Sequence, residues 1–232
     1  MLQLSENRIL ARLSDAEHEQ LAPRFDRVAL TRSFVIAEPG MTLEFAYFPV
    51  GCVLSSLIVF ENGMTVETAT AGNEGMVYAG LSLRPQHMPY RIIPQIAGEC
   101  LRIAAEELLR SIREIPRLGA LLQRYCLSLL LETSQNAACN LRHTVEQRMA
   151  RWLLLCADRS GKDEFELTQE FLAMMLGVRR QSVNVTAGLL NDRRLIDYRR
   201  GGIKVLDRAG LTSAACECYR AISRLYDAEP TA

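Results

Sequence analysis

The chain has 232 residues, 49% of them apolar, and its 27 basic and 27 acidic side chains give zero formal net charge. These values indicate folded cores for two modest domains and argue against a protein that coats nucleic acid nonspecifically. The sequence has no secretory signal and no apolar run long enough to span a membrane, so we expect a soluble, cytoplasmic protein. Seven cysteines, an odd number, suit a reducing compartment better than a disulfide framework.

The first part of the chain predicts short helices followed by a β-rich domain. Residues 5–22 carry apolar side chains at helical spacing. Candidate strands follow at residues 28–30, 34–36, 45–48, 53–60, 65–70 and 91–96. Turn residues separate these runs, and Asn62-Gly63 is the strongest hairpin signal in the chain. Many short strands at this spacing predict an antiparallel β-roll, with the short helices, over residues 1–106.

A long helix is predicted after the β-roll, over residues 107–141. Its side chains repeat at alternating steps of four and three positions, which is coiled-coil spacing. The predicted interface residues on this stripe are Leu118, Leu122, Tyr125, Leu129, Glu132 and Asn136. The stripe either packs against the β-roll or forms the seam of a homodimer. The next segment favours the dimer, because proteins that read DNA half-sites are commonly two-fold symmetric.

A third segment, residues 142–232, begins within a hinge predicted over residues 140–144 and has the pattern of a helix-turn-helix. A closing amphipathic helix is predicted over residues 211–226. Thr168 is suited to cap a first short helix, and Gly177 is suited to end it, because glycine adopts the left-handed conformation of a tight turn. A second helix follows from about Arg179, with arginine and amide side chains on its early, outer face. The alternative interpretation is an ordinary helical hairpin whose arginines are merely solvated.

A basic β-hairpin is predicted after the second helix. Alternating apolar runs at residues 195–198 and 203–206 flank Gly201-Gly202, which is a hairpin signal. Residues 168–205 carry seven Lys or Arg against three Asp or Glu, so positive charge is concentrated where DNA phosphates would lie. These features predict a winged helix-turn-helix that binds double-stranded DNA. The predicted DNA-contacting residues are Thr168, Gln169, Arg179, Arg180, Gln181, Ser182, Asn184, Arg199, Arg200 and Lys204.

The order of β-roll, long helix, hinge and winged helix-turn-helix resembles the Crp/Fnr superfamily of bacterial transcription regulators. The stretch from Leu167 to Ile196 is similar to that family's first helix, glycine turn and recognition helix. The resemblance implies that Arg180 reads guanine, that Gln181 replaces a base-reading glutamate and that Ser182 contacts phosphate. Val185 stands where family members often carry a second base-reading arginine, so we expect a different operator sequence.

The same resemblance provides only part of a cyclic-nucleotide site. The candidate effector-pocket residues are Gly80, Leu81, Ser82 and Arg91. Gly80 stands where the nucleotide-binding members have a glutamate for the ribose hydroxyl, and Arg91 lies near their phosphate-binding arginine but between bulky neighbours. Each missing partner weakens binding by roughly 1–3 kcal/mol. We therefore do not expect cyclic AMP as the natural ligand, we predict no cofactor, and the effector is unidentified.

Other sensing chemistries have weaker support. Iron–sulfur ligation needs several convergent thiolates, whereas the first four cysteines are scattered. A haem would need an axial ligand such as His87, which lies in a polar loop where histidines are usually solvated. Cys216 and Cys218 form the one compact pair, and on a helix their thiols would point about 200° apart. No further zinc ligands stand at a recognised spacing, so we predict packing cysteines and no metal site. Cys139 is the better redox candidate, because dimer symmetry would bring it near its mate, and His143 is read as a hinge side chain.

No catalytic motif is evident, since the chain lacks a P-loop, a G-x-S-x-G sequence and an HExxH sequence. We therefore expect no enzyme and no catalytic residues. The expected function is that of a homodimeric transcription regulator that reads an inverted repeat, with RNA polymerase as a second candidate partner and no membrane partner. The alternatives are a ligand- or redox-gated regulatory module, whose effector is a small molecule or haem, and a helix-turn-helix that contacts protein rather than DNA.

Overall fold

A computed structural model describes residues 2–77, 87–199 and 201–227 and has the predicted α+β organisation. The helices are α1 (Asp15–Leu21), α2 (Ala105–Glu114), α3 (Pro116–Arg142), α4 (Val145–Ser160), α5 (Gln169–Leu176), α6 (Arg180–Asp192), α7 (Arg208–Ala214) and α8 (Cys218–Asp227). The strands are β1 (Phe25–Leu30), β2 (Phe45–Pro49), β3 (Val53–Val59), β4 (Thr65–Ala71), β5 (Arg91–Ile96), β6 (Gly98–Ala104), β7 (Glu164–Phe165), β8 (Ile196–Arg199) and β9 (Gly202–Val205).

Two antiparallel sheets, ordered β1-β6-β2 and β4-β3-β5, form the β-roll. Leu54, Ile92 and Cys100 come from both sheets and share one apolar core. The predicted Asn62-Gly63 turn joins β3 to β4, which pair in antiparallel register. Apolar side chains on the inner faces of both sheets therefore hold the roll together.

Two strand predictions in the roll are wrong. Residues 34–36 form no ladder, because Phe34 and Val35 point to solvent and only an isolated bridge joins Ala37 to Ile92. The central strand β6 was missed. It follows β5 after the single residue Ala97, and the predicted strand ends at Ile96.

The predicted long helix is divided into α2 and α3 at Ile115. Pro116 occupies the first turn of α3, where its missing N–H removes no helical hydrogen bond. The inner face of α3 packs on the β-roll, with Leu118 and Leu122 in the same apolar cluster as Phe48 of β2. The N-terminal half of α3 is therefore part of the core of one chain.

The C-terminal domain follows α3 after only two residues, so the predicted hinge is shorter than Asn140–Thr144. His143 ends α3, and Thr144 caps α4 in a capping box with Gln147. Helix α4 is buried on most of its surface, and its apolar side chains share a cluster with residues of β3 and β5. The C-terminal domain is thereby packed directly against the β-roll.

The closing helix predicted over residues 211–226 is two helices, α7 and α8, separated by Ala215–Glu217. Helix α8 packs along α3, and the Ser128 hydroxyl donates a hydrogen bond to the Leu225 carbonyl at 2.8 Å. Among the described residues, no helix combines the length and apolarity needed to cross a bilayer.

Candidate nucleic-acid interface

Helices α5 and α6 form the predicted helix-turn-helix. The Thr168 hydroxyl accepts a hydrogen bond from the Phe171 amide at 3.1 Å, which caps α5 as predicted. Gly177 has φ of +62°, a conformation that lets the chain turn directly into α6. Apolar side chains of α6, including Val183 and Leu190, are fully buried against the domain core. This packing turns the opposite face of α6 outward.

The outward face of α6 carries most of the predicted reading residues. Arg179, Arg180, Gln181 and Asn184 are exposed, whereas Ser182 is half-buried beside the helix start. Sequence reasoning left two exposed apolar residues of this face out of the contact set, Val185 and Leu189. Val185 lies four residues after Gln181 and four before Leu189, so the three side chains adjoin on the helix surface, which was the available signal.

Polar contacts hold the Arg180 side chain over the start of α5. Its Nε donates to Gln169 Oε1 at 2.9 Å, and its Nη1 lies 3.1 Å from Glu170 Oε1. Gln169 Nε2 in turn donates to Asn184 Oδ1 at 3.2 Å. Three predicted DNA-contacting residues, Gln169, Arg180 and Asn184, thus form one exposed hydrogen-bonded group together with Glu170.

The wing lies beside this group and closes a groove. Strands β8 and β9 pair as a hairpin and β7 adds a third strand, which the sequence did not predict. Arg199 pairs with Asp197 at 2.8 Å, and Lys204 lies 4.0 Å from Glu164. Arg200 lies outside the described residues. An open groove of about 740 Å³ between the helices and the wing is lined by Thr168, Gln169, Glu170, Arg180, Tyr198, Arg199 and Gly201.

The predicted dimer seam faces the core of its own chain. The residues that are at most 4% exposed are Leu118, Leu122, Tyr125 and Glu132. Leu129 and Asn136 are half-buried. Because the four buried side chains have no surface left for a partner chain, this part of the prediction is wrong. The four- and three-residue spacing instead marks the face of α3 that packs against the β-roll and α8.

A second stripe of α3 has the same spacing and faces solvent. Its members are Ala120, Gln123, Leu127, Leu130, Ser134, Ala137 and Leu141, all exposed. Leu127 is 57% exposed, Leu130 is 62% exposed and Leu141 is 86% exposed. The steps of three and four residues place these side chains in a continuous row along the helix.

Of the candidate effector pocket, only Arg91 can be placed, since Gly80, Leu81 and Ser82 lie outside the described residues. Arg91 Nε lies 3.0 Å from both carboxylate oxygens of Glu38, and Nη2 lies 2.7 Å from Oε1. Hydrogen bonding to Glu38 raises the pKa of Arg91. The arginine proposed for a phosphate is therefore engaged by a carboxylate, a partner that sequence reasoning missed.

The cysteines near the C-terminus are arranged differently from the prediction. Cys139 is fully buried and its Sγ lies 3.6 Å from Cys216 Sγ of the same chain, so the expected approach to its dimer mate is wrong. Cys216 precedes α8 instead of lying on it, and its thiol points to the same side as that of Cys218. The hydrogen bond from Cys139 lowers the pKa of Cys216. His143 joins this group, whereas His87 is exposed.

Comparisons with known proteins agree with this arrangement. Residues 147–214 match the family model of the Crp-like helix-turn-helix domain. A crp/fnr-family transcriptional regulator from Eubacterium rectale is 16% identical over 90% of this chain and 98% of its own, with a TM-score of 0.67. The c-di-GMP-responsive global regulator CLP of Xanthomonas campestris is 15% identical over 83% of this chain and 99% of its own, with a TM-score of 0.66.

A third structure, a CRP/FNR-family transcriptional regulator from Thermus thermophilus, is 21% identical over 82% of this chain and 98% of its own, with a TM-score of 0.63. No curated protein matches the sequence. At these identities the structures establish the fold, and the matched domain establishes the type of helix-turn-helix. The chain therefore carries a Crp-like helix-turn-helix domain within the fold shared by transcriptional regulators of the Crp/Fnr family.

Proposed function

We propose that this protein is a transcription regulator that binds specific double-stranded DNA through α6 and the wing. The observation that carries the proposal is the outward face of α6, where an arginine and two amides stand together beside a basic hairpin. Arginine pairs with a guanine edge, and glutamine or asparagine pairs with an adenine edge, in the major groove. Arg199 and Lys204 of the wing supply phosphate contacts.

The ion pair between Arg180 and Glu170 is compatible with this role. Both side chains are largely exposed, and such pairs contribute about 0–1 kcal/mol. A bidentate contact from arginine to guanine contributes about 1–3 kcal/mol to base discrimination. DNA can therefore displace Glu170 from Arg180. Gln169 and Asn184, which already contact one another, are placed to hold the released side chain over the bases.

Val185 gives the reading face an apolar component. It stands at the position where the Crp/Fnr resemblance places a second arginine, and its side chain is exposed. A valine at a base edge favours the thymine methyl group over a guanine. We therefore propose an operator half-site with a thymine at the base pair beside the one read by Arg180.

The exposed stripe of α3 is our proposed homodimer seam. Leu127, Leu130 and Leu141 supply its apolar contacts, and Ala120 and Ala137 allow the two helices to approach closely. A two-fold axis along this seam presents two α6 helices, which matches an inverted repeat. We also propose that the protein acts in the cytoplasm, with RNA polymerase as a second partner and without cyclic nucleotide.

The test is a mobility-shift series on genomic fragments from the host at several salt concentrations. A specific reader retards a subset of fragments, and the logarithm of its affinity falls linearly with that of the salt concentration. Arg180→Ala should weaken the fragment preference, whereas Arg220→Ala, which changes an exposed arginine of α8, should preserve it. Equal retardation of all fragments by the unmodified protein would contradict the proposal.

A further inference from the structure

Three cysteines and a histidine converge where α3 ends. Cys139 lies in the last turn of α3, and His143 is the C-cap residue directly after this helix. Cys216 lies between α7 and α8, and Cys218 is the first residue of α8. The three sulfur atoms and a ring nitrogen of His143 all lie within 4.8 Å of one another.

These distances fit a single tetrahedral ion. Cys139 Sγ lies 3.6 Å from Cys216 Sγ, and Cys218 Sγ lies 3.6 Å from His143 Nδ1. Zinc bonds of about 2.3 Å to sulfur and about 2.0 Å to nitrogen place tetrahedral neighbours about 3.5–3.8 Å apart. Three thiolates and one imidazole form a known zinc-binding set. We propose that Cys139, His143, Cys216 and Cys218 bind one zinc ion.

The groups around the four ligands suit this role. Glu217 Oε1 lies 3.2 Å from His143 Nε2, so the carboxylate accepts a hydrogen bond from the Nε2–H group, and the Nδ1 lone pair faces the sulfur atoms. Histidines that ligate zinc are commonly oriented by a carboxylate in this way. Gln135 Nε2 donates a hydrogen bond to Cys218 Sγ at 3.0 Å, which stabilises a thiolate.

Two buried arginines give independent support. Arg148 and Arg151 on α4 are buried, and the Nε atom of each has no hydrogen-bond partner. Within the described ranges, their Nη atoms donate to the Leu176 carbonyl and to Asn136 Oδ1, and neither guanidinium pairs with a carboxylate. A buried charge is costly unless it is compensated.

The cysteine cluster supplies the missing charge. Both guanidinium groups interact electrostatically with Cys139 and Cys216. A zinc ion with three thiolates and a neutral imidazole carries a net charge of −1, which the arginines offset. The bound ion would also fasten the last turn of α3 to α8, next to the two-residue connection that leads into α4.

The sequence analysis did not find this site because its ligands come from two distant segments. Cys139 and Cys216 are separated by 77 positions. The available signal was the four-residue spacing of Cys139 and His143, which brings two ligand types together at the end of α3. The prediction that Cys216 and Cys218 only fill the core did not consider Cys139 and His143 as further ligands.

The experiment measures zinc in protein purified under reducing conditions and reconstituted with zinc. We expect one zinc ion per chain. Replacing zinc with Co²⁺ should give thiolate charge-transfer absorption and the visible bands of tetrahedral cobalt. The double variant Cys216→Ser/Cys218→Ser should lose both signals, and Cys52→Ala, which removes a buried thiol of the β-roll, should keep them. Glu217→Gln should keep the stoichiometry and weaken zinc binding roughly 10–100-fold.

Two results would overturn the proposal. One is the absence of stoichiometric zinc in the reduced, reconstituted protein, including the case in which Cys139 and Cys216 form a disulfide instead. The other is a double variant with the zinc content and cobalt spectrum of the unmodified protein. Since the double variant changes two buried residues, the unmodified protein is also titrated with a thiol-specific mercurial. Zinc released in step with modification of the cluster cysteines supports the site, and thiol modification without release contradicts it.

Discussion

The guanidinium of Arg159 on α4 and the carboxylate of Glu132 on α3 form an ion pair 2.7 Å long, with side chains only 4% and 2% exposed. The same guanidinium pairs with Glu74 at 3.0 Å and donates to the Thr70 hydroxyl of β4. The Tyr226 hydroxyl of α8 donates to Glu132. One buried cation therefore joins the β-roll, the long helix, α4 and the C-terminal helix.

We predict that Arg159→Met destabilises the protein by about 3–5 kcal/mol, because it leaves the carboxylates of Glu132 and Glu74 buried without their cation. Burial already raises the pKa of Glu74, which shows that its charged form depends on a partner. Urea unfolding at neutral pH measures the change.

The matched control for this variant is Arg8→Met. Arg8 pairs with Asp227 at 2.6 Å on the surface, where such a pair contributes about 0–1 kcal/mol. Adding Glu74→Gln and Glu132→Gln to Arg159→Met should recover part of the lost stability, because no buried charge is then left unpaired. If Arg159→Met cost no more than Arg8→Met, the buried network would not hold the two domains together.

Local chemistry explains why the helix-turn-helix could be predicted from the sequence. The Thr168 cap and the left-handed Gly177 depend on residues within a few positions of each other. The Asn62-Gly63 hairpin is equally local. In these segments, short-range propensity and tertiary packing favour the same conformation.

Long-range packing explains why the dimer seam and the cysteine cluster could not be predicted. Leu122 and Leu127 both belong to stripes with seven-residue spacing, and only the position of the β-roll decides that Leu122 is buried and Leu127 exposed. Cys139 meets Cys216 only because α8 folds back along α3. Periodicity indicates an apolar face but does not identify its partner.

A second prediction concerns Glu67 of β4, whose carboxylate is buried against α4. The Ser55 hydroxyl lies 2.8 Å from Glu67 Oε2 and 2.6 Å from Gln95 Oε1, and it has one hydrogen to donate. A protonated Glu67 carboxyl donates a hydrogen bond to the Ser55 hydroxyl, which then donates its own hydrogen to Gln95, so every acceptor has a donor. Burial raises the pKa of Glu67 to about 7.

Because the pKa of Glu67 is higher in the folded protein than in the unfolded chain, its contribution to stability is full below about pH 4 and is lost as pH rises through about 7. We predict that Glu67→Gln removes about 3 kcal/mol of this pH dependence. The readout is Trp152, the only tryptophan, whose indole donates to Glu67 Oε1 at 2.9 Å. Its fluorescence should titrate near pH 7 in the unmodified protein and stay flat in Glu67→Gln; a midpoint below pH 5 would refute the assignment.

A third prediction separates base reading from phosphate contact. Arg180→Ala should weaken operator binding by roughly 1–3 kcal/mol and relax specificity at one base pair. Arg199→Ala in the wing should weaken binding to all DNA sequences alike. It should also reduce by about 1 the slope of the logarithm of affinity against the logarithm of salt concentration. Binding measured on an operator and on its single-base variants distinguishes the two. An Arg180→Ala protein with unchanged affinity and preference would show that α6 does not read DNA.

A fourth prediction concerns the exposed stripe of α3. Leu127→Asp/Leu130→Asp should dissociate the dimer, because it places unpaired charge in the proposed seam. Sedimentation measures the assembly, and Met64→Asp, at an exposed apolar residue of the β3–β4 hairpin, is the control that should remain dimeric. Leu122→Asp should unfold the chain instead, since that residue belongs to the core. If Leu127→Asp/Leu130→Asp still sedimented as a dimer, the seam would lie elsewhere.

The fifth prediction is that cyclic nucleotides do not activate DNA binding. A phosphate at Arg91 would have to displace Glu38, which contacts the guanidinium through both of its oxygens. A ligand shifts a conformational equilibrium only when it binds one arrangement more tightly than the other.

Operator affinity should therefore be the same with and without saturating cyclic AMP or cyclic GMP. Glu38→Gln is the matched variant, because it weakens the hold on Arg91 without altering the chain at Gly80. If cyclic nucleotide also fails to raise the operator affinity of this variant, the limiting defect is that Gly80 stands in place of the ribose-binding glutamate. If cyclic nucleotide now raises the affinity, the limiting defect is the ion pair between Arg91 and Glu38. A tenfold gain in operator affinity of the unmodified protein on adding either nucleotide, about 1.4 kcal/mol of coupling, would contradict the prediction.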